Sequence, residues 1–120
     1  MISAAALKQL ARKHGTPLLV VDHDALRKNY ATFRKHLPRV QAYYALKANA
    51  DREVVRTLFD CGASFLVASM PEFMVVHQYI RDLPERERQQ WIWDKIIYGH
   101  PIKANETLRQ LHRYLSLIHI

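Results

Sequence analysis

Four apolar runs of strand length, at residues 17–22, 40–48, 64–69 and 95–98, each lead into a stretch with helical periodicity. That alternation narrows the fold more than any other feature of the chain. Strands alternating with amphipathic helices connect through right-handed crossovers, so they lie parallel in one sheet with helices packed against it. A short helix ending near His14 and Gly15 precedes the first run, which reads as a buried strand. Leu26, Tyr30, Phe33 and Leu37 then recur at helical spacing, with Asp22 or Asp24 as N-cap and Pro38 as the stop. Asp51 can cap a helix carrying Val54, Val55, Leu58 and Phe59 that ends before Gly62. Phe73, Met74, Val76, His77 and Ile80 form the next helical stripe, extended by the charged stretch 84–88, and Asn105 or Thr107 starts a last helix. The pattern alone leaves an open sheet and a barrel as alternatives.

With 120 residues, 49% of them hydrophobic, the chain suffices for one modest packed domain. A closed parallel barrel needs roughly twice that length. The net charge of +7 raises nucleic acid or an anionic membrane as partners. The cations argue against both, because Arg12, Lys13, Arg27, Lys28, Arg34, Lys35, Arg56, Arg81 and Arg88 are spread over several helices among Asp and Glu, with no aromatic-basic stripe. The single cysteine, Cys61, excludes a disulfide scaffold and fits a reducing compartment and a place in the core. The N-terminus has no sustained apolar region, and no run approaches the ~18 apolar residues of a membrane span. A soluble, cytoplasmic protein is the expectation.

In parallel α/β folds, functional groups gather where strands hand over to loops at their C-terminal ends. Along 40–48 the two parities differ: Val40, Ala42, Tyr44 and Leu46 are apolar, whereas Gln41, Tyr43, Ala45 and Lys47 are mixed. The first set should meet helices and the second a partly polar interior. Lys47 falls at the strand end on the mixed parity, where partial desolvation would favour a nucleophilic amine suited to Schiff-base chemistry. From position alone, an ordinary strand-end lysine snorkelling to water is the preferred reading.

Tyr44-Ala45-Leu46-Lys47-Ala48-Asn49 resembles the Tyr-Ala-(Val/Leu)-Lys-(Ala/Cys)-Asn signature of the barrel-type pyridoxal-phosphate decarboxylases that act on ornithine, diaminopimelate or arginine. Two further blocks follow in that family's order. Gly62 to Glu72 is similar to Gly-x-x-Phe-Asp-x-Ala-Ser-x-x-Glu, and Ile96-Ile97-Tyr98-Gly99-His100-Pro101-Ile102-Lys103 is similar to Ile-Ile-Tyr-Ala-Asn-Pro-x-Lys. Together they span residues 17 to about 110. The resemblance implies a truncated (β/α)8 TIM-like barrel of the alanine racemase and ornithine decarboxylase N-terminal type, with pyridoxal 5'-phosphate as cofactor. It implies Lys47 as the Schiff-base lysine and Ala45, Ala68, Ser69, Glu72 and His100 beside the cofactor. It further implies decarboxylation of a basic, ornithine-like amino acid in polyamine biosynthesis by a homodimer, with diaminopimelate decarboxylation in lysine biosynthesis as the alternative. The Lys-Ala-x-Ala-Tyr-Gly pattern of alanine racemase is not met by Lys47-Ala48-Asn49-Ala50-Asp51.

Two positions depart from the pattern. Leu66 stands where the family carries an aspartate beside the cofactor, and Gly99-His100 replaces Ala-Asn. The loss of a carboxylate keeps open a catalytically silent relative that binds cofactor or a partner protein. Glu72 also reads as favourable charge at a helix N-terminus, and His100 as a strand-end histidine satisfied by backbone. A metal is not expected, for want of ligands at metal spacing. Trp91, Trp93 and His77 read as packing. The family's glycine-rich phosphate loop, pyridinium carboxylate and catalytic cysteine lie farther along than this sequence runs.

Residues 115–120, Leu-Ser-Leu-Ile-His-Ile, are what CTG-TCT-CTT-ATA-CAC-ATC encodes, a transposase mosaic-end adaptor of sequencing libraries. The expectation is that 1–114 is the N-terminal part of the cofactor-binding barrel and that 115–120 is an assembly artefact, the alternative being a genuine apolar helix turn. The piece alone is expected to be inactive.

Overall fold

The computed structural model describes residues 2–102 and 104–114; the adaptor-like residues 115–120 lie outside it. The elements are α1 (Ala4–His14), α2 (His23–His36), β1 (Tyr43–Ala45), a 3₁₀ turn (Leu46–Ala48), α3 (Arg52–Asp60), β2 (Ser64–Val67), α4 (Met70–His77), α5 (Glu85–Lys95), β3 (Ile96–Tyr98) and α6 (Asn105–Tyr114). The three strands form one parallel sheet in the order β1-β2-β3. Strands joined by helical crossovers have this topology for the reason the sequence pattern suggests.

The helix ends follow side-chain chemistry. Ser3 caps α1 by accepting from Ala6 N, Asp22 caps α2 by accepting from Asp24 N and Ala25 N, and Asp51 caps α3 by accepting from Glu53 N and Val54 N. The amide of Ala25, joined by those of Ile2 and Asp24, holds the Asp22 carboxyl below the usual carboxylate range against a smaller opposing effect of burial. Gly62, at φ 79°, turns the chain from α3 into β2 through the left-handed region that glycine enters without a Cβ penalty.

The strand register places Tyr44, Phe65 and Ile96 side by side, then Ala45, Leu66 and Ile97, then Val67 beside Tyr98. Because side chains alternate across a sheet, the first and third rows face the helices. Phe65 and Val67 are fully buried there with Leu46, Val55, Phe73, Val76, Ile80, Ile92 and Leu111. Trp91 of α5 closes this layer, its ring 5.3 Å from that of Phe59 and 6.4 Å from that of Phe65, so it packs as expected. Trp93 is 40% exposed.

Four expectations are corrected. Residues 17–22 form no strand: the segment pairs with no ladder among the described residues, and Leu19 is 87% exposed. An apolar run favours burial, but a strand also needs an edge to pair with. The expected strand 40–48 is Tyr43–Ala45 alone, and Leu46–Ala48 winds into the 3₁₀ turn that carries Lys47. The single helix expected from Phe73 through 84–88 is two: α4 ends at His77, residues 78–82 run in turns, and Pro84, which lacks an N–H, stands at the start of α5. Strand β2 also stops at Val67, since Ser69 leaves the ladder to cap α4.

His77 is half-buried between the Phe73 and Tyr114 rings, at 5.6 and 5.2 Å, and its Nε2 has no hydrogen-bond partner. Burial, reinforced by Arg88, pushes its titration below the ordinary 6.5. The unfolded chain therefore binds the proton more readily than the native one. The contribution of neutral His77 is complete above pH ~6.5 and is lost as pH falls from there through the native value. Acid titration of thermal stability should show this loss, and His77→Phe should flatten the curve in that window. Phe65→Ala should cost about 3–5 kcal/mol by chemical denaturation, because a fully buried ring leaves a cavity under the middle strand.

Candidate active site

The C-terminal ends of the three parallel strands lie side by side, and the sequence-predicted site residues sit on or just past them. Lys47 lies in the 3₁₀ turn directly after β1, and the residues on either side of that turn hold it in place. Leu46 is fully buried and anchors the turn in the core. The Tyr44 hydroxyl donates to the Asn49 carbonyl oxygen at 3.0 Å, and Asn49 Oδ1 accepts from Asp51 N at 2.9 Å. Asp51 then caps α3. Burial raises the Tyr44 titration above the ordinary 10.0, which keeps the hydroxyl a donor.

Lys47 itself is exposed, so the partial desolvation expected of it at a strand end is not what the fold provides. The cause is the early end of β1: a 3₁₀ turn carries Lys47 out of the sheet's alternation. No carboxylate pairs with it among the described residues.

Ala45 is half-buried, in register with Leu66 on the sheet face opposite the helices, the parity expected of it. At the end of β2, Ser69 Oγ accepts from Glu72 N at 3.4 Å, and Glu72 Oε2 accepts from Ala68 N at 2.6 Å. This arrangement is close to a capping box, with Glu72 reaching one residue farther back, to Ala68 instead of the N-cap Ser69. It engages Ala68, Ser69 and Glu72 in one small network, so the helix-terminal reading of Glu72 has a definite structural partner. Burial raises the Tyr98 hydroxyl above its ordinary value, with a smaller push from the Glu72 carboxylate, which ties the ends of β2 and β3 electrostatically.

Past β3, His100 Nδ1 accepts from Ile102 N at 3.0 Å, so the backbone satisfies this imidazole, as expected of a strand-end histidine. Lys103, the last residue of the third block, lies outside the described residues. No group of three or more His, Cys, Asp or Glu suited to a metal occurs among the described residues. None of the described helices is long and apolar enough to cross a membrane.

Among the concavities away from Lys47 are two beside the sheet. One, lined by Tyr30, Arg34, Arg39, Gln41, Ser64 and Lys95, sits at the N-terminal ends of the strands. The other, lined by Leu26, Phe33, Tyr43, Tyr44 and Leu58, lies between α2 and β1.

The roles of Tyr44 and Asn49 in holding the lysine turn are the part that reading the residues one by one missed. Their signal was present, because both belong to the block around Lys47. Tyr44→Phe should speed amide hydrogen exchange at residues 46–50 and cost about 1 kcal/mol, the worth of one hydrogen bond.

The family described as pyridoxal-dependent decarboxylase, pyridoxal binding domain, matches residues 23–114. The lysine/ornithine decarboxylase of Selenomonas ruminantium is 33% identical over 113 residues, 94% of this chain and 26% of that protein. Antizyme inhibitor 2 of Xenopus laevis is 40% identical over 86 residues, 72% of this chain and 16% of that protein. The crystal structure of a lysine/ornithine decarboxylase complexed with putrescine from Vibrio vulnificus superposes with a TM-score of 0.75 at 32% identity, over 95% of this chain and 30% of that one. The chain thus spans about a quarter of the length of such relatives, and its parallel sheet is one arc of their TIM-type barrel.

Proposed function

Because the chain belongs to the pyridoxal-dependent decarboxylases, through their pyridoxal binding domain, we propose that it is the lysine-bearing arc of a carboxy-lyase whose cofactor is held at Lys47. The observation that carries this reading is the placement of Lys47. It is an exposed amine with no acid paired to it among the described residues, on a turn pinned by Leu46, Tyr44 and Asn49 at the C-terminal edge of a parallel sheet. Such a residue fits covalent capture of an aldehyde cofactor, which needs an accessible amine and a fixed backbone.

Pyridoxal 5'-phosphate, when bound, supplies the electron sink for breaking the bond between Cα and the carboxylate. This chain's residues orient the anchor and shape the wall beside it. Ala45 and Leu66 line the sheet face next to the turn, Ala68, Ser69 and Glu72 close the adjacent helix end, and His100 marks the end of β3. Phosphate binding, pairing of the ring nitrogen and return of a proton to Cα fall to residues beyond this arc.

The substrate in this reading is a basic amino acid. Ornithine is our choice, and the names of the Selenomonas and Vibrio relatives support a lysine or ornithine substrate. A diaminopimelate decarboxylase of Aquifex aeolicus at 34% identity keeps that alternative in view. Polyamine formation, a cytoplasmic location and a homodimer belong to the same proposal.

A second reading rests on Leu66, which puts no carboxylate at its position, and on the similarity to a protein named an antizyme inhibitor. It is a catalytically silent relative that binds cofactor or a partner protein.

The test is borohydride trapping of pyridoxal phosphate on the full-length chain with peptide mapping, alongside carbon dioxide release from ornithine, lysine, arginine and diaminopimelate. We expect label on Lys47, its loss in Lys47→Ala, and release from ornithine. Label without release from any of the four would favour the silent relative. Absence of label on Lys47 would overturn the cofactor assignment.

A further inference from the structure

Gly99 continues the sheet past β3, donating its N–H to the Val67 carbonyl at 2.9 Å, so its backbone is fixed in the ladder. It does not adopt a positive φ, so conformation does not demand a glycine there. Space does. A Cβ placed on Gly99 would lie 3.0–3.1 Å from Cγ and both Cδ atoms of Leu66. The leucine side chain thus fills the volume that any other residue at 99 would need. Leu66 also stands between Ala45 and Ile97 in register, on the face opposite the helices and next to the turn that carries Lys47.

Both residues are departures from the pattern that the chain otherwise resembles, which has a carboxylate at 66 and an alanine at 99. From this geometry we infer that Leu66 and Gly99 are one coupled replacement, which rebuilds the sheet face next to the Lys47 turn as an apolar wall. The inference rests on Lys47 being the cofactor anchor. The other titratable groups at this end of the sheet are engaged locally. Asp51 caps α3, Glu72 accepts from Ala68 N, Tyr98 is buried beside Glu72, and His100 accepts from Ile102 N. Leu66 is thus an apolar side chain among polar groups that already have partners.

The test is a mutant cycle on the full-length chain. Gly99→Ala should lower Tm, because the backbone at 99 is bonded to Val67 and the Leu66 side chain must give way by a few tenths of an ångström. The same change in a Leu66→Ala background should cost little, since the crowding atoms are gone. An equal Tm loss in both backgrounds, or none in either, would overturn the coupling. Failure of the unmodified chain to capture pyridoxal phosphate at Lys47 would instead overturn the anchor reading, and the role of the wall with it.

Discussion

Strand β2 is hydrogen-bonded along both edges, to β1 on one side and β3 on the other, and the rest of the fold takes its position from that double pairing. A strand held on both sides cannot slip by one residue without turning every side chain to the wrong face. Phe65 and Val67, both fully buried, would then leave the helix layer, and Leu66 would enter it. Burying a side chain of that size is worth about 1.5–3 kcal/mol. The register is therefore enforced by several kcal/mol in a domain whose whole stability is on the order of 5–15 kcal/mol. At the opposite end of the strands, Gln41 reinforces it by donating from Nε2 to Ser64 Oγ and to the Asp94 carbonyl, each at 2.8 Å.

That register also builds the site. Ser69 leaves the ladder at its C-terminal edge to cap α4 and Leu46 leaves it to enter the core, while Gly99, still bonded to Val67, passes beneath Leu66. Lys47 is presented at the β1 edge of this row, on a turn held by Leu46, Tyr44 and Asn49. A covalent anchor needs this combination of a fixed backbone and an accessible amine, since each loosely held group gives up part of the advantage of prepositioning. The exposure of Lys47 fits an arc of a barrel whose remaining strands are not part of this chain's sheet.

Much of this was legible in the residues. The caps Asp22 and Asp51, the end of α3 at Gly62, the parallel order and the two faces of β1 follow from side-chain chemistry that acts within a few residues. The three blocks around Lys47, Glu72 and His100 marked the strand ends. What escaped depends on partners distant in sequence or on competition between local preferences. The run at 17–22 has strand composition without an edge to join, and 84–88 has helix-forming charge behind a proline. Tyr44 bonding to Asn49, and Leu66 filling the space above Gly99, become visible only once the chain is folded. The Leu66 and Gly99 departures could be read singly in the sequence, but their complementarity could not.

The central claim is that this sheet edge presents Lys47 to pyridoxal phosphate beside an apolar wall. A crystal structure of the full-length chain with the cofactor tests it most directly. The account predicts continuous density from Lys47 Nζ to the cofactor's aldehyde carbon, with the Leu66 side chain still packed over Gly99. Density joining the cofactor to a different lysine, or Leu66 turned away with Gly99 uncovered, would contradict it.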